Sequence, residues 1–256
     1  MVNIIMHGCN GKMGQVITRL VSEDKDAQIV CGVDIFDDGH NDYPVFKNFD
    51  ECTVKGDVVI DFSSAKAVDS LLDFCEKSKT PVVLCSTGLS DEQIMRAEEI
   101  SKSVAVLRSA NMSLGINTLM KVLKSVAPLF AEAGFDIEIV EKHHRLKLDA
   151  PSGTALALAD SINEVLPEKY EYKYDRSQDR MLRPKNQIGI SAVRGGTIVG
   201  EHEVIFAGKD EVLTVSHTAM SKEIFATGGI RAAKFIFDKK PGLYTMKELV
   251  GSKEGN

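Results

Sequence analysis

Short apolar runs alternate with segments of helical periodicity through the first half of the chain. The apolar runs span residues 2–6, 27–33, 57–61, 81–85 and 104–107. The segments between them place apolar side chains along one helical face at residues 13–23, 65–78 and 91–101. Strands that are apolar throughout and are joined by single helices form parallel sheets covered on both faces. This half therefore predicts a doubly wound α/β domain with right-handed crossovers.

The pattern changes after residue 111. Helical periodicity is found at residues 115–133 and 152–165, and predicted strands occupy residues 136–142, 189–193, 200–207 and 211–216. The last strands alternate apolar with polar side chains, which is typical of sheets with one solvated face. The second half therefore predicts an α+β domain with an antiparallel or mixed sheet.

The connections in the second half carry their own signals. Gly195-Gly196 and residues 208–210 predict hairpin turns. Residues 169–183 are charged and aromatic without a period, which predicts a mobile loop. A closing helix at residues 224–237 is long enough to return to the first domain. We therefore expect one discontinuous domain at residues 1–112 and 222–256 and a second domain at residues 113–221.

The composition is that of an ordinary globular protein. Of the 256 residues, 43% are hydrophobic and 27% are charged, which excludes disordered and collagen-like chains. A formal net charge of −6 argues against a nucleic-acid-binding surface. No run approaches the roughly 18 to 20 apolar residues of a membrane span. The first residues lack the basic flank and long apolar core of a secretion signal, so we expect a cytoplasmic location.

The cysteines do not indicate a disulfide-stabilised fold or a metal centre. The five cysteines form an odd set without a CxxC pair, so neither a disulfide framework nor a zinc site is expected. Free cysteine is among the residue types most often buried. We expect these side chains to act as small buried hydrophobes.

A glycine-rich turn follows the first predicted strand and opens the first helix. Gly8, Gly11 and Gly14 form a GxxGxxG pattern, a variant of the dinucleotide-binding fingerprint. Asp34 ends the second strand about 20 residues later, where an acidic side chain binds the ribose hydroxyls of NAD. The alternative is that the three glycines are ordinary turn residues and that Asp34 is a solvated side chain. The spacing favours a site for NAD or NADP.

Two further loops follow predicted parallel strands, where open α/β sheets place their ligands. They are Cys85-Ser86-Thr87-Gly88 and Ser109-Ala110-Asn111-Met112. Their small hydroxyl and amide side chains suit a nicotinamide ribose or carboxamide. Capping of the following helices is an equally good explanation of the same residues.

Side chains with potential catalytic or binding roles are most concentrated between Glu141 and Thr154. Lys142, Arg145 and Lys147 surround the adjacent pair His143 and His144, although the protein is acidic overall. A local excess of cations calls for an anionic ligand. Two adjacent strand residues point to opposite faces and rarely ligate one ion, so no metal is expected here. A histidine donates protons near neutral pH, and a nearby lysine stabilises negative charge.

This basic segment leads into a helix that begins at Ser152-Gly153-Thr154. Free N–H groups and the positive end of the dipole make a helix start suitable for a carboxylate or phosphate. Plain capping by Ser152 and Thr154 is the alternative. A dinucleotide site, an anion site and a general acid together predict reduction of a carboxylate-bearing substrate by hydride and proton.

At these residues the sequence resembles a known family. The run EKHHRLKLDAPSGTA at residues 141–155 resembles the ExHHxxKxDAPSGTA signature of the dihydrodipicolinate (4-hydroxy-tetrahydrodipicolinate) reductases of lysine and diaminopimelate synthesis. Further motifs follow in the family's order: GCNGKMG, IDFS, STG, SANMSLGIN, RGGTIVGEHEV and GLYTM. The resemblance spans essentially the whole chain. It implies a homotetramer with a Rossmann-like cofactor domain and a second domain for substrate binding and tetramerisation.

The resemblance also implies roles for individual residues. His143 would donate and accept the proton, Lys147 would be a second proton donor or charge stabiliser, and His144, Gly153 and Thr154 would contact the carboxylates of a small dianionic cyclic imine. The nicotinamide nucleotide would be held by Gly8, Cys9, Asn10, Gly11, Lys12, Met13, Asp34, Cys85, Ser86, Thr87, Ser109, Ala110, Asn111 and Met112.

Three positions depart from the pattern of many relatives. Cys85 replaces a glycine, and Lys222 replaces an arginine with which it is not interchangeable. Ile35 follows Asp34 where some relatives have an arginine for the 2′-phosphate. Lys12 in the glycine loop still attracts that phosphate, so we expect NADH and NADPH both to be used, with NADH preferred. A non-catalytic nucleotide sensor and another amino-acid dehydrogenase of the same fold remain alternatives.

Overall fold

The computed structural model describes residues 1–37, 39–109 and 111–252. The chain folds into two compact units. Unit 1 comprises Met1–Leu114 with Glu223–Asn256, and unit 2 comprises Gly115–Lys222. Each unit has its own sheet and its own hydrophobic core.

The regular elements follow one another along the whole chain. The strands are β1 (Val2–His7), β2 (Ala27–Val33), β3 (Val45–Phe46), β4 (Val58–Asp61), β5 (Val82–Leu84), β6 (Ala105–Arg108), β7 (Asp136–His143), β8 (Glu171–Lys173), β9 (Gln187–Arg194), β10 (Gly200–Ala207), β11 (Val212–Ala219) and β12 (Gly242–Tyr244). The helices are α1 (Lys12–Ser22), α2 (Val68–Ser78), α3 (Asp91–Ile100), α4 (Leu114–Glu132), α5 (Gly153–Asn163), α6 (Glu223–Ile236) and α7 (Met246–Gly251).

Unit 1 contains a parallel sheet in the order β3-β2-β1-β4-β5-β6-β12. Helices α1, α6 and α7 contribute to the core on one face, and α2 and α3 contribute to the core on the other. Successive residues Ile4 and Ile5 face opposite cores, and both are fully buried. Burial on both faces explains why the strands are apolar throughout. The predicted doubly wound α/β fold is confirmed.

The glycines of the first turn are required by close backbone approach. Gly8 has φ +79°, and a Cβ there would lie 2.8 Å from the carbonyl oxygen of Phe62. A Cβ on Gly14 would lie 2.2 Å from the carbonyl oxygen of Gly8. Helix α1 therefore begins tightly against the turn. This turn packs against the end of β4, at the point where the strand order reverses.

Unit 2 contains a mixed sheet in the order β11-β10-β7-β9-β8. Strand β10 is antiparallel to β7 and β11, whereas β7, β9 and β8 are mutually parallel. Helices α4 and α5 pack on one face, where Leu123, Leu158 and Phe206 are fully buried. Along β7 every second residue is buried. The predicted mixed sheet is therefore present.

Helix α4 is long and apolar enough to cross a membrane by length and composition alone. Its buried residues Leu119, Leu123 and Ala127 belong to the core of unit 2. Packing in that core accounts for part of the apolar character of the helix, since 28% of its most apolar stretch is buried.

Two sequence-based expectations for unit 2 are wrong. Gly195-Gly196 does not close a hairpin, because β7 lies between β9 and β10. The predicted mobile loop at residues 169–183 contains β8, and Arg183 in this segment donates hydrogen bonds to Asp136 at 2.6 Å and Glu138 at 2.9 Å. The turn at residues 208–210 does join the antiparallel pair β10 and β11 as predicted.

Candidate active site

A cavity of about 580 Å³ lies in unit 1 at the carboxyl ends of β1, β2 and β4. The strand order reverses between β1 and β4, and open α/β sheets bind ligands at such a switch point. The cavity is lined by His7, Gly8, Asn10, Gly11, Val33, Asp34, Ile35, Phe36, Phe62, Ser63, Ser64, Lys66 and Ala67. The structure thus brings the glycine turn and Asp34 into one cavity.

The start of α1 forms one end of this site. Its N-cap, Gly11, has no side chain that caps the helix. The N–H groups of the first turn therefore remain open to an anion, and the helix dipole favours negative charge there. Lys12 is exposed at the first helical position, whereas Met13 packs against the core. The glycine turn fits a pyrophosphate group.

Asp34 is fixed at the other side of the cavity. Its carboxylate accepts hydrogen bonds from the backbone N–H of Asn10 at 3.0 Å and of Phe36 at 3.2 Å. A carboxylate has about four acceptor positions, so two remain for ribose hydroxyls. The Asn10 side chain donates to the carbonyl of Phe36 and accepts from Asn41 at 2.6 Å. The exposed side chains of Ile35 and Phe36 provide an apolar surface beside the carboxylate.

Two predicted cofactor residues direct their thiols into the protein. Cys9 is fully buried, and a Cβ on Gly32 would lie 2.4 Å from its sulfur. Burial raises the pKa of Cys9 to about 12 and raises the pKa of Cys85 well above its usual range. Any contact that Cys9 or Cys85 makes with a cofactor is therefore through the backbone.

The loops after β4 and β5 share a polar network. The buried carboxylate of Asp61 lies 2.9 Å from Nδ1 of His7 and accepts a hydrogen bond from the Ser63 hydroxyl at 2.6 Å. Ser63 lies 3.4 Å from the Ser86 hydroxyl, and Thr87 beyond it is exposed. Burial opposes ionisation of Asp61, but hydrogen bonds from His7, Ser63 and Ser86 outweigh it and lower its pKa.

The loop after β6 is a hydrogen-bonded turn. The Ser109 hydroxyl donates to the Asn111 carbonyl at 2.9 Å, and the Asn111 side chain accepts from the Ser113 N–H at 2.8 Å. Met112 is buried in the core of unit 1. Ala110, which was predicted to contact the cofactor, lies outside the described residues.

Unit 2 gathers a second set of functional side chains around Glu141 near the end of β7. This carboxylate is fully buried. It accepts two hydrogen bonds from Arg194, both at 2.7 Å, and one from the Ser152 N–H at 2.9 Å. Nδ1 of His143 lies 2.6 Å from its Oε2. Burial opposes ionisation, but the bonds from Arg194, His143 and Ser152 lower the pKa of Glu141 overall.

His143 is the last residue of β7 and is also buried. Its ring contacts the His202 ring edge-to-face with 5.2 Å between the centroids. Its Nε2 would lie 3.1 Å from a Cβ placed on Gly200. The absence of a side chain at position 200 therefore leaves the space that the imidazole occupies.

His202 connects this cluster to the start of α5. Its Nε2 lies 3.1 Å from the hydroxyl of Ser152, the N-cap residue that accepts from the Ala155 N–H at 3.2 Å. Burial, followed by the nearby charge of His143, lowers the pKa of His202 to about 4. His202 is therefore neutral at physiological pH.

The remaining predicted substrate residues lie along the next turn and the start of α5. His144 is half-buried, and within the described part of the chain its buried Nδ1 has no hydrogen-bond partner. Lys147 lies 2.8 Å from the Asp149 carboxylate. Hydrogen bonds from Lys147 and from the Gly153 backbone lower the pKa of Asp149. A Cβ on Gly153 would meet no atom within 4 Å, so there is open space beside the helix start.

The predicted cation cluster is smaller than the sequence indicated. Lys142 lies 3.1 Å from the Glu201 carboxylate and 2.7 Å from that of Glu203. It is on the other face of β7 from His143, because neighbouring strand residues point to opposite faces. Lys142 therefore does not belong to the anion site.

Three residues of the cluster were not among the predicted site residues: Glu141, Arg194 and His202. Period-two alternation along β7 places Glu141 on the buried face with His143, which was an available signal. Arg194 lies opposite His143 in the register of β9 against β7. His202 lies opposite Glu141 in the register of β10 against β7. That sheet order is not visible in the sequence.

Comparisons with known proteins agree over both units. Family models described as dihydrodipicolinate reductase match residues 2–112 (N-terminus) and 115–250 (C-terminus). A 4-hydroxy-tetrahydrodipicolinate reductase of Caldanaerobacter subterraneus subsp. tengcongensis is 54% identical over 250 residues, 98% of each chain. That of Clostridium tetani is 48% identical over 252 residues, again 98% of each. A dipicolinate-bound dihydrodipicolinate reductase from Paenisporosarcina sp. TG-14 has a TM-score of 0.78 at 27% identity, covering 97% of this chain and 99% of that one.

The pKa of His202 predicts a pH dependence of stability. Because the folded pKa of about 4 lies below the ordinary 6.5, the unfolded chain binds more protons between these values. Stability therefore falls as the pH falls through this window, by roughly 2 kcal/mol between pH 7 and pH 4.5 from this residue. H202Q removes that contribution, whereas H40Q, at an exposed histidine, retains it. Urea unfolding at both pH values measures the difference, and an equal pH dependence in H202Q and wild type would contradict it.

Proposed function

The chain belongs to the dihydrodipicolinate reductase family, and on this basis we propose that it reduces 4-hydroxy-tetrahydrodipicolinate to tetrahydrodipicolinate in lysine and diaminopimelate biosynthesis. The cofactor is a nicotinamide nucleotide bound to unit 1. The substrate carboxylates and the proton are handled by residues of unit 2. The observation that carries the proposal is the buried Glu141, which binds both His143 and the N–H that starts α5.

The cavity of unit 1 suits the nicotinamide nucleotide. The 4-hydroxyl group and a hydrogen of the neighbouring ring carbon leave the substrate as water, which gives the conjugated cyclic imine. A bound reduced nicotinamide would supply a hydride to ring carbon C4 of that imine. The first turn of α1 would hold the pyrophosphate through its backbone N–H groups, beside the glycine turn that lines the cavity, and Asp34 would bind the ribose hydroxyls. The loops at residues 85–87 and 109–112 bind the nicotinamide half.

We further propose that NADH is preferred over NADPH. Asp34 lines the cavity, and a 2′-phosphate beside its carboxylate would be repelled. Exposed Ile35 follows it and offers no positive charge. Lys66 lines the same cavity, and Lys12 is exposed at the start of α1. These lysines attract a phosphate, so NADPH is also used.

In unit 2, His143 donates the proton that follows the hydride. Its Nδ1 is bound to Glu141, so Nε2 is the nitrogen that exchanges a proton with the substrate. The general acid protonates the ring carbon next to C4, where negative charge develops after hydride addition. Lys147 stabilises that charge or acts as a second proton donor.

The substrate carboxylates bind at the start of α5 and the preceding turn. The buried Nδ1 of His144, the open space beside Gly153 and the first turn containing Ser152 and Thr154 support this assignment. Asp149 already binds Lys147 and the Gly153 backbone. Its side chain is 57% exposed, so a substrate carboxylate can replace it without uncovering a buried charge.

The two domains have different proposed roles in binding and assembly. Residues 1–112 and 222–256 bind the cofactor, and residues 113–221 bind the substrate and form a homotetramer. Exposed apolar side chains on the sheet of unit 2 support an interface between copies: Val193, Val212 and Leu213. We expect the enzyme to act in the cytoplasm, where its nicotinamide cofactor is available.

His143→Ala tests the proton-donor role. The variant is expected to lower kcat by about 10²-fold or more, because a general acid is lost, with little change in the KM for NADH. Oxidation of NADH and NADPH is followed with enzymatically generated substrate. Wild-type protein that is folded but turns over neither cofactor would overturn the enzyme assignment. Turnover by wild type with an unchanged kcat in H143A would remove His143 from its role only.

Asp34→Ala tests the cofactor preference. Removing the carboxylate deletes the acceptor for the ribose hydroxyls and the repulsion of a 2′-phosphate, so the KM for NADH rises more than the KM for NADPH. Steady-state kinetics with both cofactors give the ratio. Asp37→Ala, at an exposed position three residues beyond the predicted ribose contact, is the matched control. A ratio of KM values that is the same in D34A and wild type would exclude Asp34 as the discriminating residue.

A further inference from the structure

We propose that Glu141 is the positioning residue of His143, fixing both the orientation of the imidazole and the nitrogen that carries the exchangeable proton. The inference rests on the proposed role of His143 as proton donor. It adds a residue that acts through His143 without contacting the substrate.

The acceptor positions of Glu141 are fully used inside the protein. Oε2 accepts from Arg194 and lies 2.6 Å from Nδ1 of His143, and Oε1 accepts from Arg194 and from the Ser152 N–H. The side chain has no exposed surface. Glu141 therefore has neither surface nor lone pairs left for a ligand, and its effect on the reaction must pass through its partners.

The bond to Glu141 determines the tautomer of His143. An ionised carboxylate only accepts hydrogen bonds, so Nδ1 of His143 must carry a proton. The Arg194 guanidinium and the Ser152 N–H keep the carboxylate ionised despite its burial. The neutral imidazole then has its lone pair on Nε2, and the charged imidazole has an Nε2–H to donate. A histidine without this partner would divide between two tautomers, and only one of them presents a proton-accepting Nε2.

Arg194 compensates the charge of Glu141 and restrains its geometry. The two residues form a bidentate pair, and Arg194 also donates to the Asp149 carbonyl at 2.6 Å. Arg194 is opposite His143 in the register of β9 against β7. The charged and titratable groups around His143 thus come from its own strand and from the two neighbouring strands: Glu141, Arg194 and His202. The charge of Lys147 in the following turn acts on His202.

The same carboxylate also fixes the distance between the proton donor and the anion site. One oxygen is bound to His143 and the other to the first N–H of the Ser152-Gly153-Thr154 segment. A shift of Glu141 would therefore move the imidazole relative to the helix start. Catalytic groups misplaced by about 1 Å lose large factors in rate, so a loss in kcat is expected from this change.

Glu141→Gln keeps the shape of the side chain and removes its charge. We expect kcat to fall at least about tenfold, because part of the contribution of the general acid is lost, while the KM for substrate changes less than threefold. The matched control is Glu138→Gln on the same strand. The Glu138 carboxylate also binds two arginines, Arg176 and Arg183, but it lies five residues before His143 along β7. E138Q is expected to retain the wild-type kcat.

A double-mutant cycle separates positioning from a general structural role. Adding E141Q to H143A should change kcat by less than about twofold, because Glu141 acts through a residue that is already absent. The same loss in both backgrounds would overturn the inference. So would an E141Q kcat equal to that of E138Q while H143A is impaired. If H143A itself retains the wild-type kcat, the proposed role of His143 fails first.

Glu141→Asp provides a second variant if E141Q does not fold. It retains the charge required by Arg194 and Ser152 but withdraws the carboxylate from His143 by about one methylene. We expect folded protein, confirmed by circular dichroism and thermal unfolding, with a reduced kcat. A folded E141D with the wild-type kcat would contradict the inference.

Discussion

A carboxylate that is buried and ionised needs donors for its lone pairs, and in unit 2 this requirement organises the site. Glu141 is satisfied by Arg194 from β9, by the backbone at the start of α5, and by His143 two residues further along its own strand. Removing any one partner would leave part of a buried charge unpaired, at a cost of several kcal/mol. His143, which is the proposed proton donor, the start of α5 and strand β9 are therefore held together by one side chain.

The two units position their candidate ligand-binding groups in different ways. In unit 1, glycines at positions 8 and 14 let the turn approach the end of β4 and the start of α1 so closely that no Cβ would fit. In unit 2, a helix N-terminus is fixed by side chains, through Ser152, His202 and Glu141. The cofactor site is thus built from backbone geometry, and the proposed proton-transfer site from a buried polar network.

The sequence predicted most of the regular structure because the periodicity was strong. The long strands of unit 1 are apolar throughout, and β2 occurs at the predicted residues 27–33. Strands β3 and β12 were missed, since two or three residues are too few to show a period. The order of strands in unit 2 was wrong around Gly195-Gly196, because a glycine turn between two apolar runs has the same local pattern in a hairpin and in a crossover. For the site, local motifs identified His143 and Ser152. The partner Arg194 lies 53 residues from Glu141 and depends on strand pairing.

In the proposed mechanism, Glu141 determines which nitrogen of His143 carries the proton. Nitrogen-15 NMR of protein labelled at its six histidines measures this directly, with H143A used to assign the resonances. We expect a proton bound to Nδ1 of His143 at every pH at which the protein is folded, and we expect this form no longer to dominate in E141Q. A neutral His143 in the wild-type protein with its proton on Nε2 and none on Nδ1 would show that Glu141 does not set the tautomer.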